Sequence, residues 1–372
     1  MQTALATIPP EILCARDYEQ LARQFMPPAT YAYVAGGCGE DVTAVANLDA
    51  FSRWSVYPRL LRALGAGHTR VAIAGEQFLH PLFLAPVAFH NLAHPGAELE
   101  SARGAHATDT CMVASTLSSH SLEEVARVAG PQRWFQLYFQ PCRDNTLDLL
   151  KRAAGAGYRA IVVTLDAAVQ VPSFAALRAG FRMPNDSVAK NLTGHAAAEA
   201  IPLRADESRV FQGIMRSAPT WDDLAWLLAN TELPVWIKGV VHPDDALACQ
   251  AAGAAGLVVS NHGGRSLDGV PASLDTLAAI RAALGASFPV LFDGGIRCGS
   301  DVFKALALGA NGVMLGRLQL YALSVAGGLG VAHMIKLLRE ELEVCMAMAG
   351  CATVDDIGRA ALLAADQRRP AI

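Results

Sequence analysis

The stretch Leu257-Val-Val-Ser-Asn-His-Gly-Gly-Arg265 decides the fold. With Gly256 before it, the apolar run reads as a parallel strand buried on both faces. The polar residues that follow then stand at the strand's C-terminal mouth, where parallel-barrel enzymes keep their chemistry. His262 can take a proton there, and Arg265 can hold an anion beside it.

Seven further strand-like runs lie around it: Leu82–Val87, Cys111–Ser115, Trp134–Phe139, Ala160–Asp166, Val235–Val240, Val290–Asp293 and Gly312–Gly316. Most are separated by about 20–35 residues, one strand plus one helix. Helix starts fall in the gaps. Ser121-Leu-Glu-Glu-Val carries a serine cap with acids in the first turn, and Pro243-Asp-Asp-Ala puts proline at the first helical position. Ser273-Leu-Asp-Thr-Leu and Ser300-Asp-Val-Phe-Lys open two more. The expected fold is α/β, a (β/α)8 TIM barrel over residues 81–350. Residues 1–80 are expected to form a helical appendage packed on the barrel, with helices at Asp17-Tyr-Glu-Gln-Leu-Ala and ending at Tyr31-Ala-Tyr-Val-Ala-Gly-Gly. Residues 351–372 form a tail. One gap is wide, from Asp166 to Val235; within it Met183–Pro219 reads as a long, mobile lid after strand four. The apolar stretch Met334–Gly350 reads as a helix that closes the barrel or joins subunits.

Composition narrows the class. The chain has 372 residues, 52% hydrophobic and 17% charged, so it can bury a large core. A net charge of -4 without a long basic run argues against nucleic acid as a partner. No uninterrupted apolar stretch reaches the roughly 18 residues of a membrane span, and Met1 to Pro10 lacks the pattern of a signal peptide. The eight cysteines are scattered without zinc-type spacing; a reduced, cytoplasmic protein without a metal site is expected.

Two strand ends suit a phosphate group. Asp293-Gly-Gly-Ile-Arg297 follows strand seven and Gly316-Arg317 follows strand eight. The glycines (Gly294, Gly295, Gly316) let backbone N–H groups approach an anion, and Arg297 and Arg317 add charge-assisted bonds. Lys238 lies inside the apolar run of strand five, where a lysine needs a partner and can stabilise negative charge on a bound ring. Asp166 ends strand four and would orient His262 and favour its imidazolium form. Gln136 and Tyr138 alternate with Leu137 and so share one face of strand three.

Taken together, these motifs resemble the FMN-dependent α-hydroxy-acid oxidase and dehydrogenase family, which includes glycolate, lactate and mandelate oxidases. The resemblance runs from about Asp17 to Gly350 and rests chiefly on Ser260-Asn-His-Gly-Gly-Arg265 with Leu267-Asp268, on Asp293-Gly-Gly-Ile-Arg297, on Asp301-Val-Phe-Lys-Ala-Leu-Ala-Leu-Gly-Ala310, and on Gly316-Arg317. It implies an FMN cofactor whose ring is lined by Pro86, Val87, Ala88, Ser115, Gln136 and Thr164, with Lys238 and Ser260 near its pyrimidine edge. It implies that Asp293, Gly294, Gly295, Arg297, Gly316 and Arg317 hold ribityl and phosphate. His262 would be the base, paired with Asp166. Tyr33, Tyr138 and Arg265 would hold the carboxylate and hydroxyl of a small-molecule 2-hydroxy acid, which leaves as the 2-oxo acid. Relatives form tetramers or octamers, so a homo-oligomer is implied, and oxygen is the default electron acceptor.

One segment departs from the family pattern. After strand four this chain reads Val169-Gln-Val-Pro-Ser-Phe-Ala-Ala-Leu-Arg-Ala-Gly-Phe181. Ser173 falls where the resemblance places a second carboxylate-binding arginine, and Leu117 falls where glycolate oxidases carry a tryptophan. A bulky, aromatic or masked substrate (an ester or amide) is one expectation; rescue of the charge by Arg178, Arg182 or an arginine of the lid is the other. Three alternatives accompany the main reading: an FMN-binding protein without turnover, a dehydrogenase using a non-oxygen acceptor, and a flavin-free phosphate-binding barrel such as an isomerase.

Overall fold

The computed structural model describes residues 2–195 and 202–365. Eight parallel strands close into a barrel: Leu82–Leu84, Cys111–Ser115, Arg133–Leu137, Ile161–Thr164, Val235–Val240, Gly256–Val259, Val290–Asp293 and Gly312–Leu315. They follow chain order around the ring, and the eighth pairs back onto the first through Met314 and Phe83. Nearly every strand residue is buried, because barrel side chains face one another inside and helices outside. The helix signals hold: Ser121 closes a full capping box with Glu124, and Pro243 opens its helix at the first position.

Three features differ from the sequence reading. The last helix does not begin at Met334 but spans Arg317–Ala349, directly after strand eight, with a break at Ala326 and Gly327. It is long and apolar enough to cross a bilayer, but 83% of its most apolar 18-residue window is buried inside the protein, as befits a core helix. The tail returns as a short strand, Leu362–Ala364, antiparallel to Trp54–Val56. A helix at Val42–Asp49 has no local signal, because its cap is remote: the Asp268 carboxylate accepts from the N–H groups of Glu40, Val42 and Thr43.

The expected lid divides into unlike parts. Residues 196–201 of it lie outside the described residues. Before them the chain is hooked down by Asn191, which is fully buried and donates its amide to the carbonyls of Ser115 and Thr116 while accepting from Leu122 N–H. This half is a fixed wall rather than a free flap. After them, Arg209–Gly213 and Ile214–Ser217 form short helical turns that leave Phe211 and Ile214 exposed.

Candidate active site

The mouth of the barrel opens into a cavity of about 530 Å³. Its floor comes from the strand ends and its cover from the N-terminal segment and the segment after strand four. Tyr33, Pro86, Val87, Ala88, Ser115, Leu117, Tyr138, Lys238, His262, Arg265, Asp293, Gly294, Gly295, Arg297, Gly316 and Arg317 all line it. The structure therefore brings together most of the residues that the sequence singled out. Gln136, Thr164, Ser260 and Asp166 are not on its surface; all but Asp166 are at most 5% exposed, and they contact the lining from behind.

His262 and Asp166 meet at 2.8 Å, from Nδ1 to Oδ1. Burial works against charge on Asp166, but Lys238 and the hydrogen bond from His262 outweigh it and hold the carboxyl below its usual value. An ionised carboxylate only accepts, so the proton of this bond sits on Nδ1, which leaves Nε2 as the nitrogen available to a substrate. The approach of Asp166 depends on Gly239, since a Cβ there would lie 2.4 Å from the aspartate's Cγ.

Lys238 is buried and donates to Ser260 Oγ at 3.0 Å, with Asp293 Oδ2 3.3 Å away. Burial opposes its charge, yet Asp293, Asp166 and Tyr138 together raise its pKa above the ordinary lysine value. Ser260, expected at the ring edge, thus serves as an acceptor for Lys238 and for His262 N–H. Tyr138 is pushed up to about 12, by burial above all, so it is a hydroxyl donor throughout the neutral range.

The two phosphate-side arginines differ from each other. Arg297 borders the cavity, but its Nε and Nη2 donate to Glu19 and its Nη1 to Ile296 O, so it is already engaged. Glu19, on the helix Asp17–Leu21, carried no signal for this role in the sequence. Among the described residues, Arg317 donates to the carbonyls of Val34 and Gly36 and has no acidic side chain bonded to it. Burial, then the nearby Arg265, draws its pKa down to about 10, which an anion at that helix N-terminus would relieve. Gln136 Nε2 and Asp293 Oδ1 are buried and have no hydrogen-bond partner among the described residues. A flavin mononucleotide fits this set: an anion for Arg317, hydroxyls for Asp293 and ring heteroatoms for Gln136.

On the substrate side, the Tyr33 ring stacks on Phe181 at 4.2 Å and lies 4.8 Å from the Arg265 guanidinium. Arg265 spends Nη1 on the carbonyls of Tyr33 and Gly36. Phe181 was quoted in the sequence but given no role; its stacking is a long-range contact that no local pattern reveals. Ser173 does line the cavity, but its hydroxyl caps the short helix Phe174–Arg178 by accepting from Ala176 N–H. The expected rescue by arginine does not occur within this segment: Arg178 is 67% exposed and paired with Glu40, and Arg182 does not reach the wall.

The chain matches the FMN-dependent dehydrogenase family over residues 22–364. It belongs to that family. It is 62% identical over 350 residues to an L-lactate oxidase of Alicycliphilus denitrificans, covering 94% of this chain and 96% of the relative. It is 38% identical over 351 residues to a peroxisomal (S)-2-hydroxyacid oxidase of Arabidopsis thaliana, covering 94% and 96%. A crystal structure of mandelate oxidase with (S)-2-phenylpropionate superposes with a TM-score of 0.85 at 39% identity, covering 94% of this chain and 98% of that one. FMN is therefore the cofactor of this family member, and the protein is an oxidoreductase of the 2-hydroxy-acid oxidase type.

Proposed function

We propose that the protein oxidises an (S)-2-hydroxy acid with an apolar side chain to the 2-oxo acid, passing the two electrons on to oxygen with release of hydrogen peroxide. The observation that carries this reading is His262, held from behind by Asp166, in the same cavity wall as Arg265, Tyr138 and the anion-seeking Arg317. When bound, FMN supplies a two-electron acceptor. Arg265 binds the substrate carboxylate, and Tyr33 and Tyr138 orient it. His262 Nε2 accepts one of the two hydrogens as a proton as the Cα–H and O–H bonds are lost, the other leaving with the electron pair to the acceptor, and Asp166 stabilises the imidazolium so formed. Lys238 offsets negative charge that develops at the buried end of the site.

The substrate side chain meets an apolar wall that includes Leu117, Val171, Ala176, Leu177 and Met183. The L-lactate oxidase relative favours a short side chain. A second reading, a bulky or aromatic acid or its amide, is supported by that wall and by Ser173. Anaerobic mixing of purified protein with L-lactate, glycolate, (S)-mandelate and (S)-mandelamide, following flavin bleaching, tests both. Reduction by none of them overturns the reaction class; faster reduction by lactate than by mandelate overturns the bulky-substrate reading.

A cytoplasmic homo-oligomer, tetramer or octamer, is part of the same reading. Leu60, Leu61, Val344 and Met348 are exposed, and Arg59 and Arg62 lie against Gly350 at the end of the helix that carries the last two. Light scattering measures the state directly; a monodisperse monomer at micromolar concentration contradicts it.

A further inference from the structure

His262 sits in the left-handed backbone region, φ +59°, and Gly263 and Gly264 follow at +63° and +74°. For a residue with a Cβ this conformation is strained, so the surroundings must hold it. The holding bonds converge on the preceding residue. Asn261 N–H donates to Ser273 Oγ at 3.0 Å, its Oδ1 accepts from Gly264 N–H at 3.1 Å, and its Nδ2 donates to Pro271 O at 3.0 Å.

The remaining partner comes from the other end of the chain. Asn47, on the helix Val42–Asp49, faces Asn261 in a reciprocal amide pair: Nδ2 donates to Asn261 Oδ1 at 2.8 Å and Oδ1 accepts from Asn261 Nδ2 at 2.9 Å. Both side chains are buried. Asn47 Oδ1 also accepts from Ser273 N–H at 3.1 Å. Its carbonyl oxygen closes on the Gly294–Gly295 loop so tightly that a Cβ at position 295 would lie 2.1 Å away. One side chain thus touches both the turn that carries the base and the start of the helix after it, while its own backbone packs on the cofactor-side loop.

We propose that Asn47 is a positioning residue for the oxidation: it locks the left-handed turn that aims His262 and registers that turn against the Gly294–Gly295 loop. The primary amide donates from Nδ2 and accepts at Oδ1, two separate atoms, which a single hydroxyl oxygen or an ionised carboxylate does not reproduce. A shorter side chain leaves the Asn261 amide and Ser273 N–H without their partner, and the turn then relaxes toward unstrained backbone. The inference rests on His262 being the base.

The test is a double-mutant cycle with Asn47→Ala, Asn261→Ala and the pair. It reads the limiting rate of anaerobic flavin reduction, KM, the FMN dissociation constant and amide hydrogen exchange over residues 261–265 in apo protein. The expected result is a reduction rate lowered about 10–100-fold with KM moved by less than about threefold. Exchange at 262–264 should accelerate, and the double variant should be no slower than the slower single one. An unchanged reduction rate, or losses that multiply, overturns the proposal. Should Asn47→Ala fail to fold, Asn47→Ser enters the same cycle. Tyr158→Phe removes a buried hydroxyl bond to Leu122 O that lies outside the Asn47–Asn261 hydrogen-bond network and serves as the stability control; an equal rate loss there also overturns the proposal. A His262→Ala protein that still reduces its flavin would sink the base assignment itself, whatever the asparagine variants do.

Discussion

The two ends of the barrel use the same eight strands for opposite purposes. At the closed end, Phe83, Trp134 and Trp236 pack ring on ring, with centroids 5.3 and 4.9 Å apart, under Phe78 of the hairpin Val71–Ile73/Glu76–Phe78. At the open end stand a buried lysine, two buried or half-buried aspartates, a left-handed histidine and polar atoms without partners among the described residues. The closed end gains stability from aromatic burial. The open end gives some of it up, holding charge and strain where a ligand completes the bonding.

Breaking the open end should show chiefly in chemistry. His262→Ala is expected to keep FMN and lower the rate of anaerobic flavin reduction by about 10²–10⁴-fold, as loss of an essential proton acceptor does; stopped-flow absorbance checks it. Breaking the closed end should do the reverse. Trp236→Ala should cost about 3–5 kcal/mol in denaturant unfolding, while the fraction that folds reduces its flavin at the parental rate. A large rate loss there would mean that the two ends are mechanically coupled.

A finer cut separates hydrogen bonding from ionisation. Tyr138→Phe should slow reduction about tenfold through one lost donor. Because burial raises the Tyr138 pKa to about 12, its neutral form is favoured by the fold below pH 10, and that contribution fades only as pH climbs from 10 toward 12. The shape of the rate profile between about pH 6 and pH 10 should therefore be the same in the variant. The smallest effect belongs to Arg178→Ala. Its pair with Glu40 is solvent-exposed and faces away from the cavity, so KM for a 2-hydroxy acid should not change measurably. A marked rise in KM would place a second cation over the substrate after all.

The barrel was legible because its strands are buried on both faces and punctuated by glycine or proline; Cys111–Ser115, Val235–Val240 and Val290–Asp293 match the structure residue for residue. Overshoots fell at the mouth. Leu82–Val87 ends at Leu84, since Pro86 has no N–H to donate and the chain turns to line the cavity. The chemical side chains were legible because each interrupts an apolar run. What stayed hidden depends on distant partners: Asp268 capping the helix at Val42, Glu19 occupying Arg297, Asn47 facing Asn261, Phe181 stacking on Tyr33. Ser173 stands out in the sequence, but its use as a helix cap depends on a five-residue helix, Phe174–Arg178, too short to leave a periodic pattern.

The hook formed by Asn191 reaches beyond its own neighbourhood. Because its amide fastens to main-chain oxygens and Arg152 Nη1 holds its own carbonyl, the stretch downstream of it can be exchanged, lengthened or nicked by a protease without releasing Met183 from the cavity wall. Diversification of such enzymes toward new substrates or partners can therefore proceed in that downstream half while the half facing the reaction stays in place.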